Sequence, residues 1–267
     1  MIKILFFGDV VGKIGRQALK KVLPGLKKKL KPDLTIANVE NLAHGLGITK
    51  KTIQETREAG VDFFTSGNHV WRKREIVEIF KDNKWKNSII RPANWPEGVP
   101  GEGAKFFQVG NFSFLVVNLL GRVFIDKSLD CPFKKLDEIL TQYKKRKINA
   151  ILVDIHGEAT SEKIAFGWYA DGRVSAVLGT HTHIGTADAK ILPKGTGYIT
   201  DVGMVGAKDS VIGRKKEEVL AGFLTQLPQV FEPPEKGEVI VNSVYLEINP
   251  ETKKTIKIKR VDLETEI

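Results

Sequence analysis

Met1-Ile2-Lys3-Ile4-Leu5-Phe6-Phe7-Gly8-Asp9 is the stretch from which the architecture can be read. Residues 2–7 form a short, nearly continuous apolar run, the pattern of a strand buried on both faces. A glycine and an acid end it. An amphipathic helical pattern then occupies residues 16–30, with Pro24 as an expected kink. The alternation recurs. Residues 34–39, 62–65, 150–155 and 174–178 read as strands, and 49–59, 74–80, 133–147 and 161–169 as helices. Thr49 and Ser161 are the expected N-caps, and Gly60 the stop of the 49–59 helix. Residues 105–109 and 112–118 flank Gly110-Asn111, a hairpin pair. Residues 239–248 and 255–261 read as a closing antiparallel pair turned at Asn249-Pro250-Glu251. The Pro- and Gly-rich residues 91–103 read as a long loop. Strands alternating with helices, with hairpins added, predict an α/β fold: a three-layer or four-layer sandwich around central mixed β-sheets. No internal repeat or linker divides the chain, so residues 1–267 are expected to form a single domain.

Composition narrows the function classes. One cysteine among 267 residues cannot form an internal disulfide, which excludes a disulfide-built secreted scaffold. No stretch has the 18 or so apolar residues of a membrane span. The apolar run at residues 2–7 is too short for a signal peptide, so a soluble, cytoplasmic protein is expected. Lysine and arginine total 42 against 32 acids, a formal charge of +10. Part of it sits at Lys27, Lys28, Lys29 and Lys31, where cations suit a helix C-terminus. The rest reads as a charge-rich surface with a mild field favouring phosphate-bearing ligands.

The scarce polar residues fall at one kind of place. Asp9 follows the first strand, Glu40-Asn41 the second, and Asn68-His69 the third. His156 follows residues 150–155, and His181 and His183 follow 174–178. In open α/β sheets ligands bind outside the carboxyl ends of the strands, so these residues share one rim. Each has an ordinary explanation alone; the coincidence of five sites points to chemistry. Carboxylate, carboxamide and imidazole together suit Zn, Mn or Fe better than Mg or Ca. About seven ligands exceed the needs of one ion, which favours two. His44 reads as a rim residue, Cys131 as a packed thiol, and Phe63 and Phe64 as core.

Other motifs fail. Gly8-Asp9-Val10-Val11-Gly12-Lys13-Ile14 is too short between its glycines for a P-loop and lacks the Ser/Thr. Gly12 and Gly15 lack the first glycine of a dinucleotide fingerprint, and no His-Glu-x-x-His occurs.

Gly8-Asp9, Glu40-Asn41, Gly67-Asn68-His69, His156 and Gly179-Thr180-His181-Thr182-His183 together resemble the calcineurin-like metallophosphoesterase superfamily. Val11 stands where its first motif usually has His, Asn38-Val39-Glu40-Asn41 replaces the usual Gly-Asp, and Val70-Trp71 replaces the acid after Gly-Asn-His. These departures resemble the bacterial YmdB-like branch, the 2′,3′-cyclic-nucleotide 2′-phosphodiesterases. Thr186-Ala187-Asp188 and the run from Tyr198 to Met204 match that branch too. The resemblance implies that Asp9, Glu40, Asn41 and His183 hold one metal, and Glu40, Asn68, His156 and His181 the other. Glu40 would bridge two divalent or mixed-valent ions (Fe, Mn or Zn).

It also implies attack on a cyclic nucleotide by hydroxide held between the metals, with His69 as the catalytic proton donor. With the usual acid absent, either a backbone carbonyl or a distant acid such as Asp201 is expected to orient His69, or His69 acts mainly as a donor. Trp71 is a candidate face for stacking a base. RNA ends are a further candidate partner, no membrane is expected, and a homo-oligomer follows from the resemblance alone. Two other readings stay open: a broad phosphodiesterase or phosphomonoesterase, and a regulatory RNA- or partner-binding module with a vestigial metal site.

Overall fold

The computed structural model describes residues 1–267. Two mixed sheets stack face to face, with helices on both outer faces. The eight-stranded sheet is built on β1 (Ile2–Val10), which pairs in parallel with β2 (Leu34–Asn38). β2 pairs in parallel with β3 (Phe63–Thr65). On its other side β1 pairs first with β12 (Ser243–Ile248), antiparallel, and then at Asp9 and Val10 with β10 (Met204–Ala207), parallel. β13 (Thr255–Arg260) extends β12. β11 (Glu238–Val241) and β14 (Leu263–Glu266) extend β10.

The six-stranded sheet has a parallel centre of β5 (Phe112–Leu120), β6 (Ala150–His156), β7 (Ala176–Thr180) and β9 (Gly197–Ile199). Its antiparallel edges are β4 (Ala104–Val109) and β8 (Lys190–Ile191).

Three apolar cores make this a four-layer sandwich. Alternation along β1 sends Ile2, Ile4 and Phe6 into the seam between the sheets, where they meet Val116, Leu152 and Leu178. Leu5 and Phe7 face the opposite way, toward α1 (Gly12–Leu30), α2 (Lys50–Glu58) and α3 (Glu75–Lys81). On the far side, Leu115, Val153 and Val177 pack against α4 (Pro132–Tyr143) and α5 (Thr160–Ala170). A strand buried on both faces needs this arrangement, which explains why the run at residues 2–7 is apolar throughout.

Several expectations shift. α1 starts at Gly12, which reaches the left-handed region (φ 64°) and turns strand into helix within two residues. It runs through Pro24. Thr49 does cap α2, reciprocally with Thr52. Ser161 is not a cap: α5 begins at Thr160 with Ala159 in the cap position. The expected single strand at 239–248 is two, β11 and β12. Asn242 breaks it by accepting the Met204 N–H and donating to Asp262. The α4 helix ends at Tyr143, short of the expected residue 147. Phe63 and Phe64 are buried, whereas Cys131, expected to be packed, is half-buried at the start of α4. No helix is long and apolar enough to cross a membrane.

Candidate metal centre

Both sheets deliver side chains to one place. Asp9 lies in β1, Glu40 and Asn41 just past β2, and Asn68 and His69 just past β3. His156 ends β6, and His181 and His183 follow β7. Gly67 permits the close approach: a Cβ there would collide with His156 Nε2 and Glu40 Oε2.

His156 Nε2 faces three acceptors at once: Glu40 Oε1 at 3.1 Å, Asn68 Oδ1 at 3.0 Å and His181 Nδ1 at 3.0 Å. Its other nitrogen, Nδ1, lies 2.9 Å from the Thr180 hydroxyl, which itself donates to Asp154. That hydroxyl therefore accepts from Nδ1–H, which turns the Nε2 lone pair of the neutral ring into the cluster. One proton cannot serve three acceptors; a cation among them would. Glu40, His156 and His181 can each offer a ligand atom, all within 4.8 Å of one another.

A second group adjoins. Asn41 Nδ2 lies 3.3 Å from Asp9 Oδ1 and 3.2 Å from His183 Nε2, and His183 Nε2 is 3.7 Å from Asp9 Oδ1. His183 Nδ1 donates to the Ile212 carbonyl at 2.8 Å, which again leaves Nε2 for a ligand. The nitrogen and oxygen donor set, without thiolate, fits divalent transition metals.

His69 is held on two sides. Its N–H donates to Glu40 Oε2 at 2.8 Å. Its Nδ1 lies 2.9 Å from Asn41 Oδ1 and 3.2 Å from Glu40 Oε1, so Nε2 is left for chemistry. Its backbone (φ −90°, ψ 2°) occupies the sparsely populated bridge region. The orienting group is thus Asn41 with Glu40, not Asp201. Trp71 packs edge-on against Phe80 at 6.0 Å and Trp95 at 6.1 Å and keeps part of its indole exposed. His44 is exposed, and its carbonyl accepts from Arg214.

Burial and mutual charge set the protonation. Burial alone would raise Glu40, but the His156 charge and hydrogen bonds from His156 and His69 outweigh it and hold it well below the usual range. Burial opposes the charged form of His156, yet Glu40, then Asp9 and Asp154, push it up to about 9. Burial, then the His156 charge, pushes His181 down to about 3. Burial lifts Asp9 above its ordinary value. A metal must therefore displace a proton from His156 below about pH 9. Apparent Mn²⁺ affinity should rise about tenfold per pH unit toward that value and then level. Titration calorimetry at pH 7 in buffers of different ionisation enthalpy should show about one proton released. A pH-independent affinity without proton release would contradict this.

Sequence reasoning missed the groups behind the ligands. Asp154, from one sheet, accepts from Thr65 (2.5 Å) and Asn38 (3.1 Å) of the other, stitching the sheets beneath the site. Burial pushes its carboxyl up to about 6. An acid alone in the otherwise apolar strand Ala150-Ile151-Leu152-Val153-Asp154-Ile155 was the available signal. Glu158 Oε2 lies 3.1 Å from His181 Nε2.

Lys163 and Asp201 form a buried ion pair at 2.8 Å. Asp201 also accepts from the Thr182 N–H (3.1 Å), the Thr182 hydroxyl (2.8 Å) and the Gly203 N–H (2.8 Å). This anchors the turn in which His181 (φ 103°) and His183 (φ 65°) hold left-handed backbones, each costing about 1–3 kcal/mol. Lys163→Met strands the Asp201 charge and should destabilise the fold by about 3–5 kcal/mol. Chemical denaturation checks this; an unchanged midpoint would show the pair to be dispensable.

Comparisons with known proteins agree on one group. A family model described as YmdB-like protein matches residues 5–261. The chain is 47% identical over 260 residues to a Bacillus subtilis protein named 2′,3′-cyclic-nucleotide 2′-phosphodiesterase, covering 97% of this chain and 96% of that one. A crystal structure described as a novel phosphatase from Mycoplasma pneumoniae superposes with a TM-score of 0.91 at 38% identity, over 99% of this chain and 94% of that chain. A 5′-nucleotidase precursor from Thermus thermophilus shares the fold alone, with a TM-score of 0.55 at 12% identity, over 99% of this chain and 54% of that chain.

Proposed function

The chain belongs to the YmdB-like family, and from that membership we propose that it is a dinuclear-metal phosphodiesterase acting on 2′,3′-cyclic nucleotides. The observation that carries the reading is the convergence of three acceptors on His156 Nε2, beside a second donor group at Asp9, Asn41 and His183. Glu40, Asn68, His156 and His181 would hold one ion. Asp9 and His183, with Glu40 shared, would hold the other, and Asn41, whose Nδ2 faces them, would join through Oδ1 once its amide is flipped, leaving His69 Nδ1 to Glu40 Oε1. Iron, manganese or zinc suits these donors. When bound, such ions lower the proton affinity of water and offset the negative charge on phosphate.

The protein's own residues supply the rest. His69, pinned through Nδ1, delivers a proton from Nε2 to the departing ribose oxygen. The oxygen of a water molecule bonds to phosphorus as the bond from phosphorus to the 2′ oxygen breaks. The phosphate stays on the 3′ oxygen, and the 2′ oxygen leaves as a hydroxyl carrying that proton. The exposed part of Trp71, two residues beyond His69, offers a stacking face for the base. Trp71→Ala should raise KM several-fold with little change in kcat; an unchanged KM would remove that role.

The test is a panel of 2′,3′-cyclic nucleotides, 3′,5′-cyclic nucleotides and phosphomonoesters, with product isomers identified. The proposal expects 2′,3′-cyclic substrates to be preferred and 3′-monophosphates to form. Equal rates across the panel would support a broad phosphoesterase, and no turnover of any with Mn²⁺ or Fe²⁺ would support the binding module.

A further inference from the structure

Three of the histidines at the candidate metal centre tie one ring nitrogen to a group outside it. His156 Nδ1 lies 2.9 Å from the Thr180 hydroxyl, and His183 Nδ1 donates to the Ile212 carbonyl at 2.8 Å. Both therefore turn Nε2 toward the donor groups. His181 is the reverse. Its Nδ1 faces His156 Nε2 at 3.0 Å, and its Nε2 lies 3.1 Å from Glu158 Oε2. Glu158 is the one carboxylate among these three outer partners, and the proton transfer assigned to His69 makes no use of it.

We propose, building on the dinuclear reading above, that Glu158 is a positioning residue for His181. By accepting the Nε2–H it holds the ring as the tautomer whose Nδ1 lone pair is offered to the ion shared with Glu40, Asn68 and His156. A neutral imidazole carries one proton on two nitrogens, so an acceptor fixed at Nε2 decides where the lone pair goes. A carboxylate in that place also makes the ring a more basic ligand.

The surroundings of His181 leave this task to Glu158. The residue follows β7 with a left-handed backbone (φ 103°), and its N–H is spent on Asp9 Oδ2 at 3.0 Å. Those contacts fix the main chain and not the ring. The ring itself meets His156 edge to face, with centroids 4.7 Å apart and planes at 73°, and it is bracketed by His156 on one nitrogen and Glu158 on the other. Glu158 stands two residues after His156, in the turn between β6 and α5. One short turn thus delivers both a candidate ligand and the group that aims its neighbour. The Glu158 side chain is 49% exposed, so the fold draws little from it, and its removal should report on His181 alone.

Metal-free wild type, Glu158→Ala and Glu158→Gln are titrated with Mn²⁺ by calorimetry at neutral pH. Wild type should take up two ions. Glu158→Ala should weaken one of them by about 10–100-fold and leave the other within about threefold. Glu158→Gln, whose amide oxygen still accepts the Nε2–H, should recover most of that loss. Thermal unfolding of the three metal-free proteins should coincide. Two-bond proton–nitrogen correlations on metal-free wild type should show His181 protonated at Nε2. A proton on Nδ1 instead, two ions held by Glu158→Ala as tightly as by wild type, or a Gln variant as weak as the Ala variant overturns the role of Glu158 and leaves the dinuclear reading standing. Fewer than two ions in wild type overturns the dinuclear reading, and the role of Glu158 with it.

Discussion

Glu40→Gln should lose at least about a thousandfold in turnover of a 2′,3′-cyclic nucleotide and should no longer retain metal. Glu40 is almost wholly buried, and one carboxylate serves three nitrogens of two histidines. Oε1 approaches His156 Nε2 at 3.1 Å and His69 Nδ1 at 3.2 Å, while Oε2 accepts the His69 N–H at 2.8 Å. Glutamine keeps the shape and removes the charge. It takes away the oxygen proposed to serve both ions and the negative charge that would favour cations there. The isosteric side chain leaves the surrounding core filled, so the loss should appear in metal content and kcat/KM, not in solubility. Metal analysis beside steady-state kinetics decides it. Retained metal with near-normal turnover would remove Glu40 from the bridging position.

His69→Ala should separate binding from chemistry. Its Nε2 is the group assigned to the leaving oxygen, and losing a positioned proton donor costs about 10²–10⁴ in rate. Metal content should persist. The loss should be large for a ribose leaving oxygen and small for a nitrophenyl ester, whose leaving group departs without a proton. An equal loss on both substrates would mean that His69 supports the cluster through Asn41 and Glu40 instead of donating a proton.

Much of this was legible in the sequence because backbone periodicity and strand ends are local properties. The run at residues 2–7 declared a strand buried on both faces; Glu40, Asn68 and His181 come just after a strand, as expected, while Asp9 and His156 lie within the last two residues of strands longer than expected. What was not legible depends on contacts between distant parts of the chain. β9 and β10 are three and four residues long, too short to show a period, and they exist because β7 and β1 pair with them. Asn242 divides a continuous apolar run only because Met204 and Asp262 come to meet it. The orientation of His69 was missed for the same reason. Asn41, 28 positions away, reaches it across the site, while Asp201 is committed to Lys163.

The most direct test of two ions held around Glu40 is stoichiometric. Metal-free protein is titrated with Mn²⁺ or Fe²⁺ while 2′,3′-cyclic adenosine monophosphate turnover and bound metal are followed together. Two ions per chain are predicted at saturation, with turnover tracking the second equivalent and 3′-adenosine monophosphate as the product. Saturation at one ion with full turnover, or full turnover by the metal-free protein, would contradict the account.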